Sequence, residues 1–189
     1  MKTLIIATTF IILSGLIAGN AAAQRRDYMT DEEIELVREN QDIDKRIDVL
    51  TKMIDRRFSV MGMDVGGWKP TEKEQAAWGV MRTGTRSELL LDVRQLLQKA
   101  IDDIDDVAMH NENTLTQNKT EGLLFPAAVR NLAAAANRYL PHLKTTLDKS
   151  TDERDRGLIM ASIEHCEAII EAVVKLPPEV KSVKKKGKG

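Results

Sequence analysis

The sequence predicts an all-α protein: an antiparallel four-helix bundle, its second helix either continuous or broken, behind an N-terminal signal peptide. Three observations predict it. Apolar residues recur at three- and four-residue steps, with no alternation of the kind a half-buried strand shows. Capping signatures open the periodic runs, and glycines, prolines or polar stretches close them. Aromatic residues make up only 4% of the chain and charged ones 30%, a composition suited to helices with one wet face.

The first helix starts at "TDEE", where Thr30 caps and Glu33 reaches back to it. Leu36, Ile43, Ile47, Leu50, Ile54 and Met61 then share one face, which predicts a single helix to about residue 61 with Asn40 on the seam as a register-fixing residue. Gly62, Gly66, Gly67 and Pro70 end it, and Trp68 is expected to fold back onto the bundle. The second helical region opens at Thr71 and Glu74. Its stripe is clearest at Leu90, Val93, Leu97, Ala100, Ile104 and Val107, and a further box at Thr85 and Glu88 leaves open one helix or two.

A polar stretch, "NENTLTQNKTEG", leads to a third helix with Pro126 at its first position and a kink expected at Pro141. This helix should bury Phe125, Val129, Leu132, Ala136, Tyr139, Leu143 and Leu147. A box at Ser150 and Glu153 opens the fourth, whose stripe is Ile159, Ile163, Cys166, Ile170 and Val173. Pro177 and Pro178 stop it. Four such helices, sustained in places at coiled-coil-like spacing, bury their apolar faces most simply against one another.

The ends of the chain speak of location. Residues 1–23 carry a basic start at Lys2, an apolar run from Leu4 to Ala18 and the small residues Ala21, Ala22 and Ala23, the order of a secretory signal peptide. Thr8, Thr9, Ser14 and Gly15 dilute a run already shorter than the ~20 residues a spanning helix needs. Cleavage after Ala23 makes Gln24 the mature N-terminus and the product periplasmic or secreted, with no transmembrane segment in the mature chain. An uncleaved anchor is the alternative. The domain organisation expected is signal peptide 1–23, a short extension 24–29, a helical domain 30–176 and a disordered lysine-rich tail 177–189.

Net charge is −1, and losing Lys2 with the signal segment hardly changes it. Without a basic field, and with export, nucleic acid is excluded as a partner. One cysteine, Cys166, permits no intramolecular disulfide. It lies on a buried stripe and should behave as a small hydrophobe.

The candidate chemistry centres on "IDDIDDVAMHNEN", Ile101 to Asn113. With Ile104 at the centre of the buried face, Asp103, Asp106 and His110 form a row on one outward ridge, two carboxylates and an imidazole for a divalent cation. A single ridge lacks convergence from other elements, so a solvated face with an Asp106 to His110 pair is favoured. Yet aspartates in the last turns oppose the helix dipole, so something positive should lie beside them.

Other metal patterns fail. Iron-carboxylate bundles use Glu-x-x-His, whereas Val107, Tyr139 and Ser162 precede His110, His142 and His165 at that spacing. Haem held by a histidine and one of Met61, Met63, Met109 or Met160 leaves no local spelling; core filling is the commoner use of methionine. His165 reads as a half-buried packing residue. No cofactor is expected.

Two features suggest binding. "IDKR" and "IDRR" recur eleven residues apart and align Arg46 with Arg57. They form either a solubilising face, with pairs such as Asp42 to Arg46 and Asp48 to Lys52, or a basic ridge meeting the acidic one at Asp102, Asp103 and Asp106. Lys181, Lys184, Lys185, Lys186 and Lys188 could touch an anionic surface. The function expected is a non-enzymatic binding or scaffolding protein of the cell envelope, its partner an unidentified envelope protein or an anionic surface; a periplasmic bundle holding a divalent metal or haem is the alternative.

Overall fold

The computed structural model describes residues 26–110 and 124–176. Those residues form six α-helices and a terminal 3-10 turn, with no strand among them: α1 (Asp31–Glu39), α2 (Ile43–Val60), α3 (Glu72–Ala77), α4 (Arg86–His110), α5 (Leu124–Lys149) and α6 (Glu153–Ala172), then Val173–Lys175. The signal segment, the polar stretch 111–123 and the lysine tail lie outside the described residues.

Local chemistry sets the starts. At α1, Glu33 N–H donates to Thr30 Oγ1 at 3.2 Å and Thr30 N–H donates to Glu33 Oε2 at 3.0 Å, which satisfies two amides the first turn leaves over. Thr71 with Glu74 and Thr85 with Glu88 repeat the arrangement. The second helical region is therefore two helices, short α3 and long α4. Their reciprocal contacts hold Glu74 and Glu88 below the usual carboxylate range, since each carboxylate accepts from a backbone amide and a hydroxyl.

Four local expectations change. The helix predicted over 30–61 is broken after Glu39: the Asn40 side chain donates to Leu36 O at 2.7 Å, and its backbone N–H caps the same carbonyl. Asn40 thus ends α1 instead of fixing a register. The apolar spacing runs on across the break, which is why the seam looked continuous. At α6, Asp152 accepts from Asp155 N–H at 2.8 Å and starts the helix, displacing the box expected from Ser150 and Glu153. Pro126 falls in the first turn of α5 but not at its first position, and Pro141 lies exposed inside the same helix, as the third helix of the sequence requires.

The end of α2 is as the glycines foretold. Gly62 sits at φ +75°, with its N–H on Ser59 O and that of Met63 on Phe58 O, the paired bonds by which a left-handed residue closes a helix.

Helix α2 packs on α4 and α5, and α6 packs on the same two; α1 lies against α2. Arg46 to Asp103 and Arg57 to Asp92 contacts require α2 and α4 to run in opposite directions. Tyr139 on Thr51 and Thr146 on Met63 show α5 running with α2. Only Ser150, Thr151 and Asp152 separate α5 from α6, so those two are antiparallel. A single core joins them, including Ile47, Leu50 and Phe58 of α2, Leu97 of α4, Leu132 of α5 and Cys166 of α6. Each buried leucine or isoleucine there contributes about 1.5–3 kcal/mol. No helix among the described residues is long and apolar enough to cross a membrane.

Candidate functional site

One turn of α2, Ile54 to Phe58, organises the polar interior. Ile54 and Phe58 face the core, but Asp55, Arg56 and Arg57 between them are also buried, with exposures of 5%, 3% and 0%. Charges removed from water to this degree are tolerated only when paired and hydrogen-bonded.

Arg57 grips Glu33 with two parallel bonds, Nη1 to Oε1 at 2.8 Å and Nη2 to Oε2 at 2.6 Å, and donates to Tyr28 O at 2.9 Å. Arg56 donates to the same Glu33 at 3.0 Å, to Trp78 O at 3.0 Å and to Gly79 O at 3.1 Å. On the far side of Arg57 stands Asp92 of α4, whose Oδ2 receives Arg26 Nη2 at 3.0 Å. The Nε atoms of Arg57 and Arg82 lie 3.3 Å from it, close enough to pair in charge though off the hydrogen-bond direction. Burial raises the Asp92 carboxyl above its ordinary pKa, and the three guanidiniums offset that only in part. Four guanidiniums thus surround two carboxylates. Backbone carbonyls of Tyr28, Met29, Trp78, Gly79 and Thr83 take further donors of these guanidiniums. Those bonds stitch the N-terminal segment and the 78–83 loop onto α2 and α4, so residues 26–29 act as part of the fold.

Asp55 works on the opposite flank. It accepts from Trp68 N–H at 2.7 Å, from Tyr139 Oη–H at 2.8 Å and from Arg138 Nη1 at 3.2 Å. Burial, with Asp55 beside it, pushes the Tyr139 phenol well above its usual pKa. A methyl group on Gly67 would stand 2.2 Å from Asp55 Cγ, so only glycine lets the loop come this close. The two flanks meet at the tryptophans: Trp68 and Trp78 have centroids 4.8 Å apart, with Lys52 over Trp68 and Arg56 over Trp78, each at 5.4 Å. Trp68 therefore folds back as expected. A cleft of about 290 Å³ opens beside Asp55, between the end of α2 and the loop that carries Asp64, Trp68 and Lys69.

The residues expected from sequence are placed as follows. Asp103 is buried at 7% exposure, facing inward, where Lys99 bonds its Oδ1 and Arg46 approaches to 3.9 Å. Asp106 and His110 are exposed and pair with each other at 3.1 Å. The structure therefore brings together the second and third members of the expected row but turns the first away from them. Along α4 the expected Leu90, Val93, Leu97 and Ala100 are fully buried, whereas Ile104 and Val107, near the end of the helix, are only half-buried. The buried face is wider than that stripe and also takes in Leu89, Leu96 and two aspartates, Asp92 and Asp103.

The positive partner expected beside the acidic end is present in Arg46. Asp92 and Asp103 repeat at the same eleven-residue step as Arg57 and Arg46, so the two pairs form matching rungs between antiparallel helices. Of the local pairs expected on α2, Asp48 to Lys52 forms at 2.7 Å, whereas Asp42 takes Lys45 and Arg46 turns to Asn40 O. Among the described residues, no three His, Cys, Asp or Glu side chains gather as a metal would need.

Met109 and Met160 are exposed, and Met61 and Met63 lie half-buried against the core. His165 is half-buried; burial and the nearby Arg94 lower its pKa. Cys166 is fully buried, with its thiol pushed up to about 12 by desolvation.

Sequence reasoning missed Glu33, Asp55, Arg56, Arg82, Asp92 and Arg138 as interior groups. The one signal was the aligned Arg46 and Arg57. No protein-family model matches this chain, and no curated protein or solved structure shows significant similarity to it.

Proposed function

We propose that this chain is exported and serves as a non-enzymatic binding or scaffolding protein of the cell envelope, with α2, α4, α5 and α6 forming a four-helix bundle. Its partner is an envelope component or an anionic surface met by the lysine tail. The observation that carries the reading is how the interior charges are used. Arg56, Arg57, Arg82 and Arg138 donate to main-chain carbonyls of Tyr28, Met29, Val65, Trp78 and Gly79, so the network fastens loops and leaves a rigid frame on which they are presented. The bundle is supported by the pairing of each long helix with two others, and export by the order of charge, apolar run and small residues over 1–23.

Expression of the full chain, cell fractionation and N-terminal sequencing test this reading. A soluble product starting at Gln24 outside the cytoplasm is expected, and a product in the cytoplasm that retains Met1 sinks it.

A second reading, a divalent metal at Asp103, Asp106 and His110 or a haem, has one observation in its favour: Asp103 Oδ2 is buried without a hydrogen-bond partner among the described residues. Metal analysis and an absorption spectrum of protein purified from its native source decide it. A stoichiometric metal lost in His110→Ala supports it, and a metal-free, colourless protein removes it.

A further inference from the structure

Helices α5 and α6 meet beside an open groove of about 390 Å³. Its α5 wall includes Ala133 and Ala134, whose methyl groups leave space that longer side chains would fill, and the other wall is Ile170, Val173 and Val174. Val174 is 84% exposed, so apolar surface stands open to water here. Arg130 and Asn137 mark the two ends, about 10 Å apart along the α5 axis. Because α5 and α6 are antiparallel, the Arg130 end is the one nearer to Leu176.

Leu176 is the last described residue, and its backbone is extended, with φ −81° and ψ 149°. The sequence that follows, Pro177 to Val183, opens on two prolines, which favour polyproline II backbone. That helix has three residues per turn and rises about 3.1 Å per residue, so residues three apart stand on one edge about 9 Å from each other. Val180 and Val183 share one such edge, Glu179 and Ser182 a second, and Pro178, Lys181 and Lys184 the third. The two valines fit the apolar length of the groove. Glu179 and Ser182 repeat the spacing of Arg130 and Asn137 with complementary chemistry, an anion for the guanidinium and a hydroxyl for the carboxamide oxygen. Four residues beyond Leu176 reach about 13 Å, enough to set Val180 over the two alanines.

We propose that residues 177–183 fold back into this groove parallel to α5, with Val180 and Val183 packed on Ala133, Ala134 and Ile170 and with Glu179 on Arg130. A second copy of the chain is a poorer occupant, because the lining falls far short of the ~20–30 residues a side that a standard interface uses. Docking leaves Lys184, Lys185, Lys186 and Lys188 to project from the α5–α6 face, which fixes where the chain can meet an anionic surface. The docking itself requires neither that surface nor export.

The full chain carrying a nitroxide on Lys184→Cys, followed by amide NMR, tests the proposal. Cys166 is fully buried, with its thiol pushed up to about 12, and stays unlabelled. Position 184 belongs to the edge that faces away from the groove, so the label replaces no contact. The docked segment runs from Arg130 towards Asn137, and the Asn137 and Ala134 signals should therefore lose more intensity than that of Arg130. A tail that is only tethered at Leu176 visits the nearer end more often and gives the reverse order, which overturns the proposal.

Adding Val180→Asp should restore the Asn137 signal several-fold, and adding Glu179→Lys should restore it in part. A signal that stays broadened with Val180→Asp overturns the proposal as well. In a mixture of nitroxide-labelled chains with isotope-enriched, nitroxide-free ones, the enriched chains should keep full intensity at Asn137. Broadening there shows the groove holding another copy's tail and overturns the intramolecular docking.

Discussion

Replacing Arg57 with methionine should remove about 3–5 kcal/mol of folding stability. The side chain is fully buried, and methionine fills its stem only about as far as Nε, so a void where the guanidinium stood adds to the loss. What remains is worse than a void. Glu33, itself at 0% exposure, keeps Arg56 and Thr30 N–H but loses its bidentate partner; Asp92, at 2%, loses its nearest buried guanidinium; and Tyr28 O loses its donor. Removing one member of a buried ion pair typically costs about 3–5 kcal/mol, against a total stability of about 5–15 kcal/mol for a domain. At roughly 2–4 °C per kcal/mol for a domain of this size, Tm should fall by on the order of 10 °C.

The assay is urea unfolding followed by far-UV circular dichroism, with wild type and variant compared at unchanged m-value. Arg38→Ala is the control, because its pair with Glu35 is exposed and should contribute less than about 1 kcal/mol. A loss of under about 1 kcal/mol in Arg57→Met would refute the reasoning, since the network would then behave like surface charge.

Three further outcomes follow from the same geometry. Gly67→Ala must push the Asp55 carboxylate off Trp68 N–H and Tyr139, so it should destabilise the protein and red-shift tryptophan emission, while Gly62→Ala, which meets open space but sits at positive φ, should only destabilise. Native Cys166 should resist a thiol reagent at about pH 8, near the ordinary thiol value, and react fully in urea; fast labelling of folded protein contradicts its burial. Glu74 and Glu88 have folded pKa values below their usual 4.5, so their contribution is present above that value and is lost as pH falls through the lower folded one. Glu88→Ala should therefore flatten the acid limb of a stability–pH curve, and an unchanged limb contradicts the capping box.

Much of this architecture could be read from the residues. Helix class, the caps at Thr30, Thr71 and Thr85, the glycine stop after α2 and the return of Trp68 all follow from short-range chemistry, which sequence spacing records directly. Helix ends whose partner is a main-chain carbonyl were harder: Asn40 can sit in a helical seam or close a helix, and only its bond to Leu36 O decides. The site was less legible still. A wheel places charge outside and apolar groups inside, so Asp103 was expected on an outward ridge and Asp92 drew no notice, although each is paired in the interior. Their pairing depends on the register of α4 against α2, which no local pattern in either helix contains. The eleven-residue spacing of Arg46 and Arg57 was visible; that Asp103 and Asp92 repeat at the same step became meaningful only once the two helices were seen to run in opposite directions.

The most direct test of the account is amide hydrogen exchange on the full chain. If the Asp55–Arg56–Arg57 turn fastens the surrounding segments, the amides of Thr30, Glu33 and Trp68 should exchange about as slowly as those in the middle of α2, and Arg57→Met should accelerate Thr30 and Glu33 more than Trp68. Exchange of all three at the rate of an open loop in the wild-type protein would contradict it.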